Sequence, residues 1–253
     1  MAINQHVLNA PDAHAADAHA TSARATSARK GGPDQAAKTR AGKARLLTIP
    51  GIAGVGYTLS WIAGLAVPAP GPGLRASGPA IVAALRGHGP ALAAQFTLTE
   101  GLPAIGIAVI SAALARTARR HGAPRTARIA LVSGLAAAAI SALQFILGLI
   151  LAATSAPGLA HALYQSVNRM DGVKMLALAV LGAAGAATVA LPRWLRWTGA
   201  ALAVAITCSG LVYLFLVTSL ATAAGPALVL LLAFITGCGI MIGMKDSSAV
   251  TES

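Results

Sequence analysis

The chain has 253 residues, of which 56% are hydrophobic and 10% charged, with a mean hydropathy of +0.71 and a formal net charge of +12. Soluble domains carry roughly 25% charged residues, so a surface that meets water on every side is excluded. Clustered Lys and Arg can neutralise nucleic-acid phosphates, but here the basic residues fall between apolar runs, which points to a membrane and to no nucleic-acid partner.

Residues 1–45 contain no apolar run. They hold near-repeats, Asp12-Ala13-His14-Ala15 against Asp17-Ala18-His19-Ala20 and Thr21-Ser22-Ala23-Arg24 against Thr26-Ser27-Ala28-Arg29. With so little apolar surface to bury, this stretch reads as a disordered basic tail. It does not read as a secretory signal, whose apolar core arrives within the first 15–30 residues or so. Its last basic residues, Lys38, Arg40, Lys43 and Arg45, lie beside the first apolar run, where they would attract anionic lipid headgroups.

Six apolar segments follow, at about 47–67, 94–115, 129–153, 173–191, 199–218 and 225–244. Each is near the ~20 residues that cross a ~30 Å hydrocarbon core as helix. The runs are continuous, without the alternation of a membrane barrel, and backbone groups in lipid must bond internally. The expected fold is therefore all-α: a six-helix transmembrane domain over 46–245 and a short tail over 246–253. Cytoplasmic loops retain Lys and Arg. Fifteen fall in the first tail, the 116–128 loop, the fourth-to-fifth turn and after the sixth span, against four (Arg75, Arg86, Arg169, Lys174) in the alternate connections. Both termini are expected inside. The long outer connection opens with the helix-breaking Pro68-Ala69-Pro70-Gly71-Pro72-Gly73, and Gly78 to Leu92 reads either as a short helix on the outer surface or as an unstructured loop.

Glu100 is the one acidic residue well inside an apolar span. A carboxylate there costs about 2.5–3.5 kcal/mol on insertion scales, so it belongs in a bundle interior or cavity. Pro103 removes an N–H one turn on and loosens the backbone around it. Gln144 of the third span lies at similar depth, both about 21–23 Å from the cytoplasmic end at 1.5 Å per residue. Glu100 reads either as a proton or cation ligand beside an outward-facing cavity, or as a carboxyl near the outer interface that is protonated or paired with Gln144. Ahead of the fourth span, Asn168-Arg169-Met170-Asp171-Gly172-Val173-Lys174 reads as a helix start, with Asp171 as N-cap and Lys174 one turn on. With Glu100 and His161 this cluster would form an outer polar site; otherwise its charges are solvated. Arg193, Trp194, Arg196 and Trp197 read as interfacial anchors in a tight turn, indoles at headgroup level and Arg toward phosphates.

Cys208 and Cys238 lack CxxC spacing and sit in apolar runs, where thiols pack as small apolar groups. Gly239 and Gly243 form a GxxxG that would serve internal packing or a dimer equally well. No phosphate loop or HExxH pair occurs, and the six histidines lack metal-ligand spacing. No metal, no cofactor and no enzymatic activity are expected.

The Leu-Pro-Arg-Trp-Leu turn at 191–195, Glu100 early in the second span, the Arg-rich 116–128 loop and Asn168-Arg169-Met170-Asp171 together resemble a family of uncharacterised bacterial multi-pass membrane proteins, over roughly residues 46–244. The resemblance implies a six-helix fold in a bacterial plasma membrane and no particular activity. Two functions stay open: a structural or regulatory membrane component that binds lipids, a protein partner or a second copy of itself, and a small transporter or channel that uses Glu100 in an outward-facing polar cavity. A lipid-directed enzyme would require Glu100, His161 and Asp171 to converge.

Overall fold

The computed structural model describes residues 48–69, 71–215 and 224–250, and every regular element among them is helical. The basic tail, including Lys38, Arg40, Lys43 and Arg45, lies outside the described residues. The elements are α1 (Ile49–Leu65), α2 (Gly78–Leu85), α3 (Gly89–Phe96), a π-helical turn (Thr97–Gly101), α4 (Leu102–Arg120), α5 (Pro124–Ala153), α6 (Pro157–Ala187), α7 (Arg193–Phe215) and α8 (Ala224–Val250). Five stretches are long and apolar enough to cross a membrane: Gly89–Arg120, Pro124–Ala153, Pro157–Ala187, Arg193–Phe215 and Gly225–Lys245. The first expected span is α1, an apolar helix of 17 residues, about 25 Å long at 1.5 Å per residue.

The burial pattern is that of a bundle solvated by lipid. Large side chains such as Ile62, Ile105, Val132, Ile146, Val204 and Val229 point outward, while small ones such as Ala113, Ala130, Ala137 and Ala184 fill the core beside Ile107, Ile110, Leu114 and Phe234. Lipid offers no hydrophobic drive for helix association, so small residues that let backbones approach decide the interfaces. The most extensive is α6 against α7. A methyl on Gly182 would come within 2.9 Å of the Gly199 carbonyl oxygen, and one on Gly172 within 2.7 Å of the Gly210 carbonyl oxygen. These two crossings, 182 with 199 and 172 with 210, make the pair antiparallel. The GxxxG resolves the same way: Gly239 abuts Pro50 and Gly54 of α1, and Gly243 abuts Thr48, so within this chain it packs α8 on α1. Thr236 of α8 donates to the Gly54 carbonyl at 3.1 Å and shares a 2.6 Å hydrogen bond with Thr58.

These contacts set the start of α1 beside the end of α8. Antiparallel packing of each successive helix puts Arg116–Arg128, Arg193, Arg196 and Lys245 on that same face. The α4–α5 turn there closes with Ala123 N–H on Ala118 O at 3.0 Å and Gly122 N–H on Arg119 O at 3.1 Å, with Gly122 at φ 75°. This is the helix stop that a left-handed glycine permits.

At the opposite end the structure departs from the expected spans. The fourth helix begins at Pro157, not near 173, and its 31 residues extend about 46 Å, well beyond a ~30 Å hydrocarbon core. The excess, with α5, carries a second small core in which Ile81 and Leu92 of the outer connection pack on Leu151, Ala160 and Leu163. The outer connection is thus helical from Gly78 to Leu85 and again from Gly89, the second helix running through the π-turn into α4. Side chains of α6 hold the preceding segment: Tyr164 O–H donates to Pro72 O, and Gln165 Nε2 donates to Leu74 O at 3.0 Å.

Candidate functional site: an intramembrane charge cluster beside a cavity

The site begins with an irregularity in a helix. Pro103 has no N–H to return to the preceding turn, and over Thr97–Gly101 the backbone widens into a π-turn closed by Leu102 N–H on Thr97 O. Thr97 and Thr99 donate their hydroxyls to Ala93 O at 2.8 Å and Gln95 O at 2.9 Å, supplying partners to carbonyls near the break. Single π-turns within helices concentrate at functional sites. This one carries Glu100, buried at 7% exposure.

Glu100 meets Lys174 of α6. The ammonium donates to Oε1 at 2.7 Å and to Oε2 at 2.8 Å, and Ser141 of α5 donates to Oε2 at 2.8 Å. The third proton of Lys174 faces Asp171 Oδ1 at 2.6 Å, one turn earlier on α6. Gln144 Nε2 donates to the Val167 carbonyl at 3.0 Å and reaches Asp171 Oδ1 at 3.5 Å. An ammonium has three donors, and all three are used. Lys174 is 4% exposed, and Gln144 Oε1 is buried without a partner among the described residues. With every group ionised, two carboxylates share one ammonium and the cluster carries one excess negative charge. At 1.5 Å per residue it lies about 20 Å from the Ala187 end of α6, inside the apolar stretch of every helix that contributes.

A cavity of about 250 Å³ adjoins the cluster. Asp171, Lys174, Ser141 and Thr99 supply its polar wall, and Tyr57 and Trp61 of α1 and Tyr213 of α7 supply aromatic surface. Leu65 at the end of α1 and Gly225 at the start of α8 also line it, so it extends toward the face opposite the basic one. Glu100 is not among the lining residues. It is sealed behind Lys174 and Ser141, and Asp171 is the carboxylate at the cavity, its side chain 21% exposed against 9% for Glu100.

Of the residues singled out in the sequence, Glu100, Gln144 and Asp171 come together. Glu100 and Gln144 do not bond each other; Ser141, one turn before Gln144, takes the carboxylate, and Gln144 turns to Asp171 and Val167. Asp171 does not cap a helix, since it lies within α6, fourteen residues past Pro157. Asn168 donates back to Tyr164 O at 2.8 Å, and Arg169 is exposed on another side of the helix. His161 is ten residues, about 15 Å, from Asp171 along α6 and bonds Ala76 O through Nδ1 at 3.2 Å. The convergence of Glu100, His161 and Asp171 does not form. Ser141 was missed, and Lys174, read with Asp171 in the polar cluster, was placed at a helix start and not in mid-helix. Lys174 looked like a solvated charge because a hydropathy window begins the span beside it. The uninterrupted helix-compatible run from Leu159 to Met170 was the signal that places it mid-helix.

At the basic face, Trp194 and Trp197 are exposed in the first turn of α7, while Arg196 Nε donates to Ala186 O at 2.9 Å and Lys245 Nζ to Ala190 O at 2.5 Å. Both cations thereby satisfy carbonyls at the end of α6 and just beyond it, as positive side chains do at helix C-termini. Arg193, Arg196 and Trp197 line a groove there with Ala186 and Ala200. Cys208 is exposed and Cys238 buried, both as free thiols. No cluster of metal-ligating side chains occurs among the described residues.

Fold and site together define a multi-pass helical membrane protein with a charge cluster inside its bundle. Comparison with known protein families, curated proteins and solved structures finds no match.

Proposed function

We propose that this chain is a bacterial plasma-membrane protein of six crossings, both ends cytoplasmic, that binds and moves a monovalent cation, proton included, through its outward-facing cavity. The carrying observation is the Asp171–Lys174–Glu100 cluster at the cavity wall, which has one more carboxylate than ammonium. Ionisable groups within membrane spans are rare and mark ion and substrate pathways. A π-turn and a proline break at the same point agree with the broken helices on which transporters place such sites. Crossing by α1 is supported by its apolar length and its packing along α8, and orientation by the gathering of basic residues on one face. The groove of Arg193, Arg196 and Trp197 fits an anionic lipid headgroup, and Lys38, Arg40, Lys43 and Arg45 would add to that attraction. No catalytic role is proposed.

One observation favours the second reading, a structural or regulatory component: Lys174 and Glu100 satisfy each other, and Glu100 lies behind the cavity wall. Reconstitution separates the two. In liposomes loaded with a pH-sensitive dye and a potential-sensitive dye, wild type is expected to pass a cation-driven signal that Asp171→Asn abolishes. No signal above empty liposomes for any monovalent cation would leave the structural reading.

A further inference from the structure

The chain has few aromatic residues: three Trp, three Tyr and four Phe in 253. Trp194 and Trp197 lie exposed at the basic face and Tyr164 fastens the outer segment. The remaining three of the Tyr/Trp set, Tyr57, Trp61 and Tyr213, all line the cavity beside Asp171. They come from α1 and α7, with Asp171 on α6, so the aromatic surface and the carboxylate are brought together by three different helices.

We propose that this cavity takes a small organic ammonium ion, methylated rather than bare. The inference rests on the cation-binding reading above and names its ligand. Three features select the class. First, charge: with all three groups ionised the cluster is one negative charge in excess, Asp171 is the more exposed of its two carboxylates, and Oδ2 accepts no hydrogen bond among the described residues. That excludes anions and favours one positive charge, in a low-dielectric setting where Coulomb attraction is strong. Second, wall chemistry: hard metal cations are held by about six to eight oxygen ligands for calcium or near-octahedral oxygen sets for magnesium. Here the Asp171 carboxylate, the hydroxyls of Ser141 and Thr99, and the Lys174 ammonium, which is taken up by Glu100 and Asp171 Oδ1, face largely aromatic and aliphatic surface. Faces of Tyr and Trp attract ammonium ions through the ring quadrupole, and methylated ammonium is the type so held in aromatic cages. Third, size: the space, about 250 Å³, is below the ~300–1,000 Å³ of pockets for drug-sized ligands. It suits a headgroup-sized cation and exceeds what a lone proton needs.

The test is calorimetric titration of the full chain in lipid nanodiscs with tetramethylammonium chloride, against sodium chloride at matched ionic strength. Saturable tetramethylammonium binding to wild type is expected, weakened about tenfold or more by Asp171→Asn and less by Tyr213→Leu, with Trp61→Phe retaining binding better than Trp61→Leu because a ring remains. Asp171→Asn leaves the neutral Lys174–Glu100 pair in place, and a thermal melt checks that each variant is folded. If sodium, or proton release on titration, registers at Asp171 while tetramethylammonium neither binds nor competes, the ligand class is overturned and the cation-site reading survives. If no cation binds and Asp171→Asn changes nothing, both fall. Tetramethylammonium binding that is indifferent to Asp171 and to the aromatic substitutions would place it elsewhere and also overturn the proposal.

Discussion

Lys174 is the residue on which the interior depends. It is nearly inaccessible, and its three donors hold Glu100 and Asp171 to one point between α4, α5 and α6. Removing one partner of a buried ion pair is far more damaging than replacing all of it, because a charge is left without compensation. Lys174→Met is therefore expected to cost about 3–5 kcal/mol, read as a lower midpoint of unfolding in mixed micelles. The triple variant Lys174→Met, Glu100→Gln, Asp171→Asn should recover most of that loss. If the single variant unfolds like wild type, the ion pairs are not made in the folded protein. Asp171→Asn alone removes the excess charge and should leave the midpoint unchanged or higher. A marked drop would mean that Asp171, and not Glu100, is the main partner of the ammonium.

Between helices, the decisive quantity is how closely two backbones approach. Gly182 faces the Gly199 carbonyl across the α6–α7 contact, whereas a methyl on Gly56 would meet nothing within 4 Å. Gly182→Ala forces the helices apart and should cost about 1–3 kcal/mol by overpacking. Gly56→Ala adds only helix propensity and should stabilise by up to about 1 kcal/mol. Thermal melts of the two variants in one detergent test this, and equal effects would contradict the packing described. The sequence announced small faces but not their partners. In a chain with 27 Gly, many spacings satisfy GxxxG, and only the tertiary contact shows that Gly239 of α8 packs against α1. The start of α6 was similarly hidden. Hydropathy reports where a helix leaves hydrocarbon, not where its hydrogen bonding begins, so the amphipathic turns from Pro157 to Met170 looked like connection. Depth arithmetic succeeded with Glu100 and Gln144 because it uses only rise per residue, and it could not supply the rotation that sends Gln144 to Asp171.

Over the whole molecule, alternate connections agree in charge and in space: the loops rich in Lys and Arg gather on one face, and Lys174, tallied with the poorer face, proves to belong to neither. The cavity extends to the poorer face. The account therefore joins a topology to a site, and cysteine accessibility tests both at once. In a background carrying Cys208→Ala and Cys238→Ala, single cysteines are introduced at Tyr213 in the cavity wall and at Arg125 in the basic turn. A membrane-impermeant thiol reagent added to intact cells is expected to label the Tyr213 position and to reach the Arg125 position only after permeabilisation. Labelling of the Arg125 position from outside, or protection of the Tyr213 position until the cells are opened, would contradict it.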